Sequence, residues 1–254
     1  MYPFSCVLWA INSKQLLRNS KTYKLTNLQT YKLTNMKVIP FFSNENATKE
    51  STGRHVKMSP VSCMTKRLFD IVCSLLGLIA FLPVFLIVAM LIKREDGGPV
   101  IFRQARVGYR GKIFTLLKFR SMTVTAEADG RPQLCKKNDK RLTKVGRFLR
   151  EHHLDELPQL WNVLRGEMSF VGPRPEREFF VKQISAINPD YELLYQLRPG
   201  LFSAATLYNG YTDTMEKMLE RLRMDLYYLN NRSLWVDIKI IFLTAVSIIS
   251  GKKF

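Results

Sequence analysis

The chain has 254 residues, 46% hydrophobic and 24% charged, which excludes a disordered or collagen-like polymer and suits one ordinary domain with appendages. Lys plus Arg number 39 against 21 Asp plus Glu, a net charge of +18. Residues 1–63 hold nine basic and two acidic side chains (+7), so +11 remains for the other 191 residues and a polyanionic neighbour is expected: nucleic acid, anionic lipid or a phosphate-rich substrate.

Cys6, Cys63, Cys73 and Cys135 lie far apart with no C-x-x-C pair, which speaks against a disulfide scaffold or zinc ribbon and for a reducing compartment. Residues 1–63 are predicted to be a poorly ordered extension. Thr-Tyr-Lys-Leu-Thr-Asn occurs there at 22–27 and again at 30–35, too few copies for a solenoid. The apolar run Val7-Leu8-Trp9-Ala10-Ile11 lacks a basic flank and ends at Asn12, a poor signal peptide. Met58 and Met64 are candidate starts of the natural protein.

Residues 71–92 carry no formal charge, and fifteen of the 22 are Ile, Leu, Val or Phe. On an insertion scale these favour a bilayer by about 5–9 kcal/mol, more than the roughly 3 kcal/mol that a mid-helix Pro83 costs. The segment 64–94 is therefore expected to enter a membrane. Lys66-Arg67 and Lys93-Arg94 flank it symmetrically, so charge gives no orientation. A re-entrant hairpin broken near Pro83, with both ends on the cytoplasmic face, fits these features; one kinked transmembrane helix is the alternative.

After Arg94, short β-like runs are predicted at 100–102 and 112–119 around a turn at 108–111. Helices are predicted at 142–164 (interrupted near Pro158), 179–196 and 214–230. The apolar tail 234–249 reads as an amphipathic interfacial helix, with a buried core helix as the alternative. The fold class is α+β, mostly helical, around a small β element, with residues 95–254 as the unit that follows the membrane segment.

Three clusters carry chemistry. In His152-His153-Leu154-Asp155-Glu156, a zinc site from His152 and Glu156 lacks a third ligand at a recognisable spacing. The carboxylates alone offer more: adjacent side chains on a helix diverge by about 100°, so one can attack or take a proton while the other holds Mg²⁺. A solvated acidic pair is the bland alternative. In Gly172-Pro173-Arg174-Pro175, two prolines fix the backbone around a guanidinium whose planar fork fits phosphate oxygens. Lys118-Phe119-Arg120-Ser121-Met122 adds cations beside a hydroxyl. None follows a Walker or dinucleotide-binding spacing.

The order of these clusters resembles the bacterial sugar transferases, specifically small monotopic phosphoglycosyl transferases acting on polyprenyl phosphate. The resemblance rests on Lys66-Arg67-Leu68-Phe69-Asp70, Gly98-Pro99-Val100-Ile101-Phe102-Arg103-Gln104, Lys118-Phe119-Arg120-Ser121-Met122, Leu154-Asp155-Glu156-Leu157-Pro158-Gln159-Leu160-Trp161-Asn162 and Gly166-Glu167-Met168-Ser169-Phe170-Val171-Gly172-Pro173-Arg174-Pro175. It spans residues 65–252. It implies a re-entrant helix at the bacterial inner membrane, with the catalytic domain on the cytoplasmic face. It further implies attack by Asp155 on the β-phosphate of a UDP-sugar, release of UMP, and transfer of the phosphosugar to polyprenyl phosphate. Asp155 and Glu156 would be catalytic, Glu156 the Mg²⁺ ligand, Arg174 a phosphate contact, and Lys118 and Arg120 electrostatic helpers. Membrane lipids are then partners, nucleic acid is not, and downstream glycosyltransferases and a homodimer are open. A catalytically inactive membrane scaffold of the same fold is the alternative function.

Two departures stand out. Leu82 precedes Pro83 where the family commonly has Ser, and residues 201–211 replace a motif that usually closes with Arg, here Gly210 or Tyr211.

Overall fold

The computed structural model describes residues 58–126, 133–134, 139–209 and 212–249, all within one compact unit, Arg54–Phe254. Expectations for residues 1–57 and for Gly210 and Tyr211 lie outside the described residues.

Two helices open the fold, α1 (Pro60–Ala80) and α2 (Leu82–Asp96), bent by 58° at the break. α1 begins inside the segment expected to be poorly ordered. The reason is local: Ser59 caps it by accepting the Ser62 N–H at 3.1 Å, and Pro60 takes the first position, where no N–H is needed. The break falls at Phe81, two residues before Pro83, whose ring cannot donate to Ile79 O. No single helix among the described residues is long and apolar enough to cross a membrane; the bent pair together is.

A hairpin follows, β1 (Ile101–Val107) and β2 (Ile113–Phe119), antiparallel with Ile101 opposite Phe119 and Val107 opposite Ile113. β1 runs five residues past the predicted 100–102. The predicted helix 142–164 is two short ones, α3 (Lys144–Glu151) and α4 (Gln159–Arg165), separated by a 3-10 turn, Leu154–Glu156. Thr143 caps α3 by accepting the Gly146 N–H at 2.9 Å; His153, at φ 56°, ends the helical run, and Pro158 starts the next. Helix 179–196 likewise divides at Pro189 into α5 (Glu178–Ile187) and a 3-10 stretch, Pro189–Gln196. Two elements were not predicted: a parallel pair of three-residue strands, β3 (Ser169–Val171) with β4 (Gly200–Phe202), and α6 (Ala204–Asn209). α7 (Met215–Asn231) and α8 (Leu234–Ile249) complete the fold, which is mostly helical with two small sheets.

Charged residues of α1 dock it onto the rest. Arg67 donates to the last carbonyls of α4, Val163 O at 2.7 Å and Leu164 O at 2.8 Å, satisfying orphan acceptors at a helix end. Asp70 is buried and accepts from Ser169 Oγ (3.1 Å) and Phe170 N (3.0 Å), fixing α1 against β3. Lys66 donates to Val171 O at 3.0 Å and pairs with Asp237 of α8 at 2.6 Å, whose other oxygen accepts from Tyr228 OH. α2 is held by Val88 and Ile92, which pack with Phe119 and Leu149.

The outer sides of these helices are apolar. Leu68, Leu76, Ile79, Leu82, Leu86, Ile87 and Met90 are exposed along α1 and α2. α8 is inverted relative to a core helix: Asp237, Thr244 and Ser247 are buried while Trp235, Ile238, Phe242 and Val246 face outward.

Candidate active site

The 3-10 turn after α3 presents Asp155 and Glu156. Successive residues of a three-per-turn helix diverge by about 120°, so the pair splays slightly more than the α-helix assumed from sequence. Glu156 Oε1 accepts from two cations at once, Lys118 Nζ of β2 and Arg174 Nη2, each at 2.7 Å. Asp155 is 5% exposed, and among the described residues its carboxylate accepts no hydrogen bond.

Each cation is positioned by its own scaffold. β2 is an edge strand whose free side is covered by Asn162 of α4: Oδ1 accepts the Leu117 N–H at 3.1 Å, and Nδ2 donates to Thr115 O at 2.8 Å and Glu167 at 2.7 Å. The side-chain amide thus continues the ladder next to Lys118. Arg174 sits on the loop leaving β3. Gly172 N–H donates to Phe202 O at 3.1 Å and Gly200 N–H to Pro173 O at 2.9 Å, so β4 holds the loop from below. The approach is so close that a Cβ at Gly172 would lie 2.3 Å from Arg198 O. Behind the loop, Glu176 pairs with Arg106 at 3.3 Å and with Arg221, while Arg106 also donates to Pro175 O at 3.0 Å. Asp225 of α7 accepts the Ser203 hydroxyl at 3.0 Å, and the Arg174 backbone lies close enough to favour its charged form.

Electrostatics separates the two acids. Burial pushes the Asp155 carboxyl up, with Lys118 and Arg150 opposing and Glu156 adding to the rise. Burial also works against Glu156, but Arg174 and Lys118 hold it well below the usual carboxylate range. Glu156 raises Arg174 above its ordinary value, whereas burial lowers Lys118 despite the same partner. The two carboxyls are therefore pushed in opposite directions, Glu156 down and Asp155 up, the arrangement that assigns two acids different roles.

Sequence reasoning placed Asp155, Glu156, Lys118 and Arg174 in one site, and the fold brings them together. Arg120 stands apart: it pairs with Asp96 at the end of α2. His152 turns away, with Nδ1 2.8 Å from Phe148 O and its ring against Phe148. Arg150, Asn162, Ser203 and Asp225 were missed. Only Asn162 left a signal, as a polar residue inside an apolar run before Gly166. Arg174 also lines a small open cleft with Gly108, Pro173, Tyr191 and Tyr195, on which neither acid borders.

The second oxygen of Glu156 and both of Asp155 accept nothing from the described residues. Hard carboxylate oxygens without protein partners, beside cations that gather phosphate, fit a Mg²⁺ ion bound through one or two carboxylates and substrate phosphates.

A family model described as bacterial sugar transferase matches residues 61–251. The UDP-glucose:undecaprenyl-phosphate glucose-1-phosphate transferase of Klebsiella pneumoniae is 46% identical over 189 residues, covering 74% of this chain and 40% of the relative. The UDP-N-acetylgalactosamine-undecaprenyl-phosphate N-acetylgalactosaminephosphotransferase of Aeromonas hydrophila is 40% identical over 193 residues, covering 76% of this chain and 45% of the relative. In Caulobacter vibrioides a UDP-glucose:undecaprenyl-phosphate glucose-1-phosphate transferase is 42% identical over 189 residues, covering 74% of this chain and 70% of the relative. The chain spans less than half the length of the first two. With the matched region running from α1 to the end of the chain's last helix and enclosing every residue of the site, the chain belongs to the bacterial sugar transferase family.

Proposed function

We propose that this chain transfers a phosphosugar from a UDP-sugar to polyprenyl phosphate, releasing UMP, as the first step of a surface glycan. The observation that carries this is the division of labour between two neighbouring acids: Asp155, buried, raised in basicity and accepting no hydrogen bond among the described residues, beside Glu156, clamped by Lys118 and Arg174.

In the first step a carboxylate oxygen of Asp155 forms a bond to the β-phosphorus of the donor as the bridging bond to the α-phosphate breaks, and UMP leaves with the electron pair. In the second, a phosphate oxygen of the polyprenyl acceptor attacks the same phosphorus, and the Asp155 carboxylate departs unchanged. Arg174 and Lys118 neutralise charge on the transferring group, the main task in phosphoryl transfer. Glu156 would hold Mg²⁺, which when bound offsets repulsion between the attacking carboxylate and the diphosphate.

The acceptor is lipidic, and the exposed apolar sides of α1, α2 and α8 suit insertion from one face of a bilayer. We read α1 and α2 as a re-entrant hairpin, α8 as interfacial, and the site as lying on the cytoplasmic face of a bacterial inner membrane. Basic residues near that surface would draw anionic lipid phosphate.

The test is UMP release by the purified chain with Mg²⁺, undecaprenyl phosphate and UDP-sugars offered singly, UDP-glucose and UDP-N-acetylgalactosamine among them. Release with particular donors, abolished in Asp155→Asn while the protein remains folded, is the expected result. Full release in Asp155→Asn would remove the nucleophile assignment. Silence from the folded wild type across the panel would favour an inactive scaffold.

A further inference from the structure

Arg120 follows β2 directly and its side chain is 6% exposed. Its N–H donates to Val100 O at 2.9 Å, so extended pairing continues one residue beyond the strand. Lys118, the partner of Glu156, is two residues back, about 7 Å along extended backbone. Nη2 of Arg120 pairs with Asp96, in the last turn of α2, whose carboxylate is 29% exposed. The guanidinium lies tight under the turn between α2 and β1: a Cβ at Gly98 would sit 2.0 Å from Nη1.

Nε and Nη1, although buried, have no hydrogen-bond partner among the described residues. An orphaned buried donor is costly, more so on a charged group, and calls for a reason. Asp96 holds Nη2, the nitrogen shared by both edges of the planar fork. A single carboxylate oxygen thereby blocks a bidentate site on either edge, and a phosphate that displaced it would meet two donors instead of one.

The position decides which phosphate. Donor phosphates have their own cations in Lys118 and Arg174 on Glu156. Arg120 instead lies where the apolar hairpin ends, and the following residue leads to the nucleophile: Ser121 Oγ accepts from Arg150 Nε at 3.0 Å, and the charge of Arg150 reaches Asp155. We propose that Arg120 is the binding site for the phosphate of the lipid acceptor, which displaces Asp96 from the guanidinium as it leaves the bilayer. This rests on the transferase reading and gives the acceptor phosphate a first contact outside the Lys118–Arg174 clamp, from which it passes to the position that UMP vacates.

The experiment uses the full chain in nanodiscs and three variants, Arg120→Gln, Arg120→Lys and Asp96→Asn. KM is measured for undecaprenyl phosphate and, separately, for the UDP-sugar. In Arg120→Gln the acceptor KM should rise about tenfold or more, the scale of a lost hydrogen-bonded charge, while the donor KM holds. Arg120→Lys should fall between. Asp96→Asn should lower the acceptor KM, because the competitor for the fork is weakened. A parallel rise in donor KM would assign Arg120 to the nucleotide instead and overturn the proposal. So would an unmoved acceptor KM in Arg120→Gln with a lowered Tm in both Arg120→Gln and Asp96→Asn, the mark of a purely structural pair.

A readout without turnover separates this from failure of the transferase reading. Thermal stabilisation by undecaprenyl phosphate should be present in the wild type and Asp96→Asn and absent in Arg120→Gln. Such a pattern upholds the site even if no donor is turned over; no stabilisation of the wild type overturns it.

Discussion

The Ser203 hydroxyl, on the segment after β4, donates to the carboxylate of Asp225 at 3.0 Å, a buried acid from α7 whose charged form the nearby main-chain N–H of Arg174 also favours. The loop that carries the guanidinium clamping Glu156 thus borders a helix residue 51 positions along the chain. Burial pushes Asp225 up to about 7, opposed by Arg221, Ser203 and the Arg174 N–H and reinforced by Glu176. A carboxyl with a raised folded pKa contributes stability that is full below its unfolded value and is lost as pH rises through about 7. Asp225→Asn keeps an acceptor for one donor and cannot ionise. Between pH 5 and 8 the wild type should therefore lose about 1–3 kcal/mol more stability than Asp225→Asn. Unfolding midpoints measured across that range would show it as converging or diverging curves; parallel curves would mean that Asp225 does not titrate there.

Lys118 favours the ionised form of Asp155, while burial opposes it. The acid limb of UMP release should lie above the ordinary aspartate range, since the carboxyl must be ionised to attack. In Lys118→Met the nearby cation is lost and Asp155 rises further, so the limb should move to higher pH. The maximal rate should also drop about 10²-fold, the scale for removing one preorganised electrostatic contact. A pH–rate profile under single turnover tests both. A reduced rate with an unshifted limb would mean that another group sets it.

Most of the candidate site was legible because motif order survives in one dimension. Asp155, Glu156 and Arg174 stand in short segments whose residue types already match phosphate chemistry, and helix α7 was bounded correctly by Thr214 and the apolar spacing after it. The parallel pair β3–β4 was not legible: three residues each, 29 positions apart between Val171 and Gly200, offer no periodicity to read. Asp225 was invisible for the same reason, since its role comes from a long-range encounter with Arg174. The break within 142–164 was half read. Pro158 announced it, but the left-handed His153, which turns Asp155 inward, carries no mark in composition. Arg120 looked like one more cation beside Lys118; only the fold shows that Asp96 claims it.

Close approach at β3–β4 gives a steric prediction. Gly172→Ala would set a Cβ 2.3 Å from Arg198 O and 2.9 Å from Gly200 N, both backbone atoms that move only with the strand. Overpacking of this kind costs about 1–3 kcal/mol, and here the displaced loop carries Arg174. Lower Tm should come with UMP release reduced about tenfold or more. Gly97→Ala is the contrast. It meets nothing within 4 Å and suffers only the left-handed backbone, φ +68°, at about 1–2 kcal/mol, so it should lose stability without a comparable loss of rate. Equal losses of rate in both would argue that general destabilisation, not loop displacement, is being measured.

Pro83 bends the hairpin, but the magnitudes indicate that it is not what keeps it bent. Replacing a helix-interior proline by alanine favours the straight form by about 3 kcal/mol. Straightening would strip α2 from the core, where Val88 and Ile92 are 4% and 2% exposed, at about 1.5–3 kcal/mol each. It would also free two N–H groups at the start of α3, Lys144 and Val145, which donate to Glu95 at 2.7 and 3.2 Å, and break the Asp96–Arg120 pair. Together these exceed the proline's share, so Pro83→Ala alone should leave both flanks of the hairpin on one side of the bilayer. Adding Ile92→Ser and Glu95→Ala should release the far flank. The measurement is labelling by an impermeant thiol reagent at Cys63 and at an introduced Lys93→Cys, with Cys6, Cys73 and Cys135 replaced by serine. Loss of Lys93→Cys labelling from the cytoplasmic side in Pro83→Ala alone would assign the topology to the proline and not to the packing of α2.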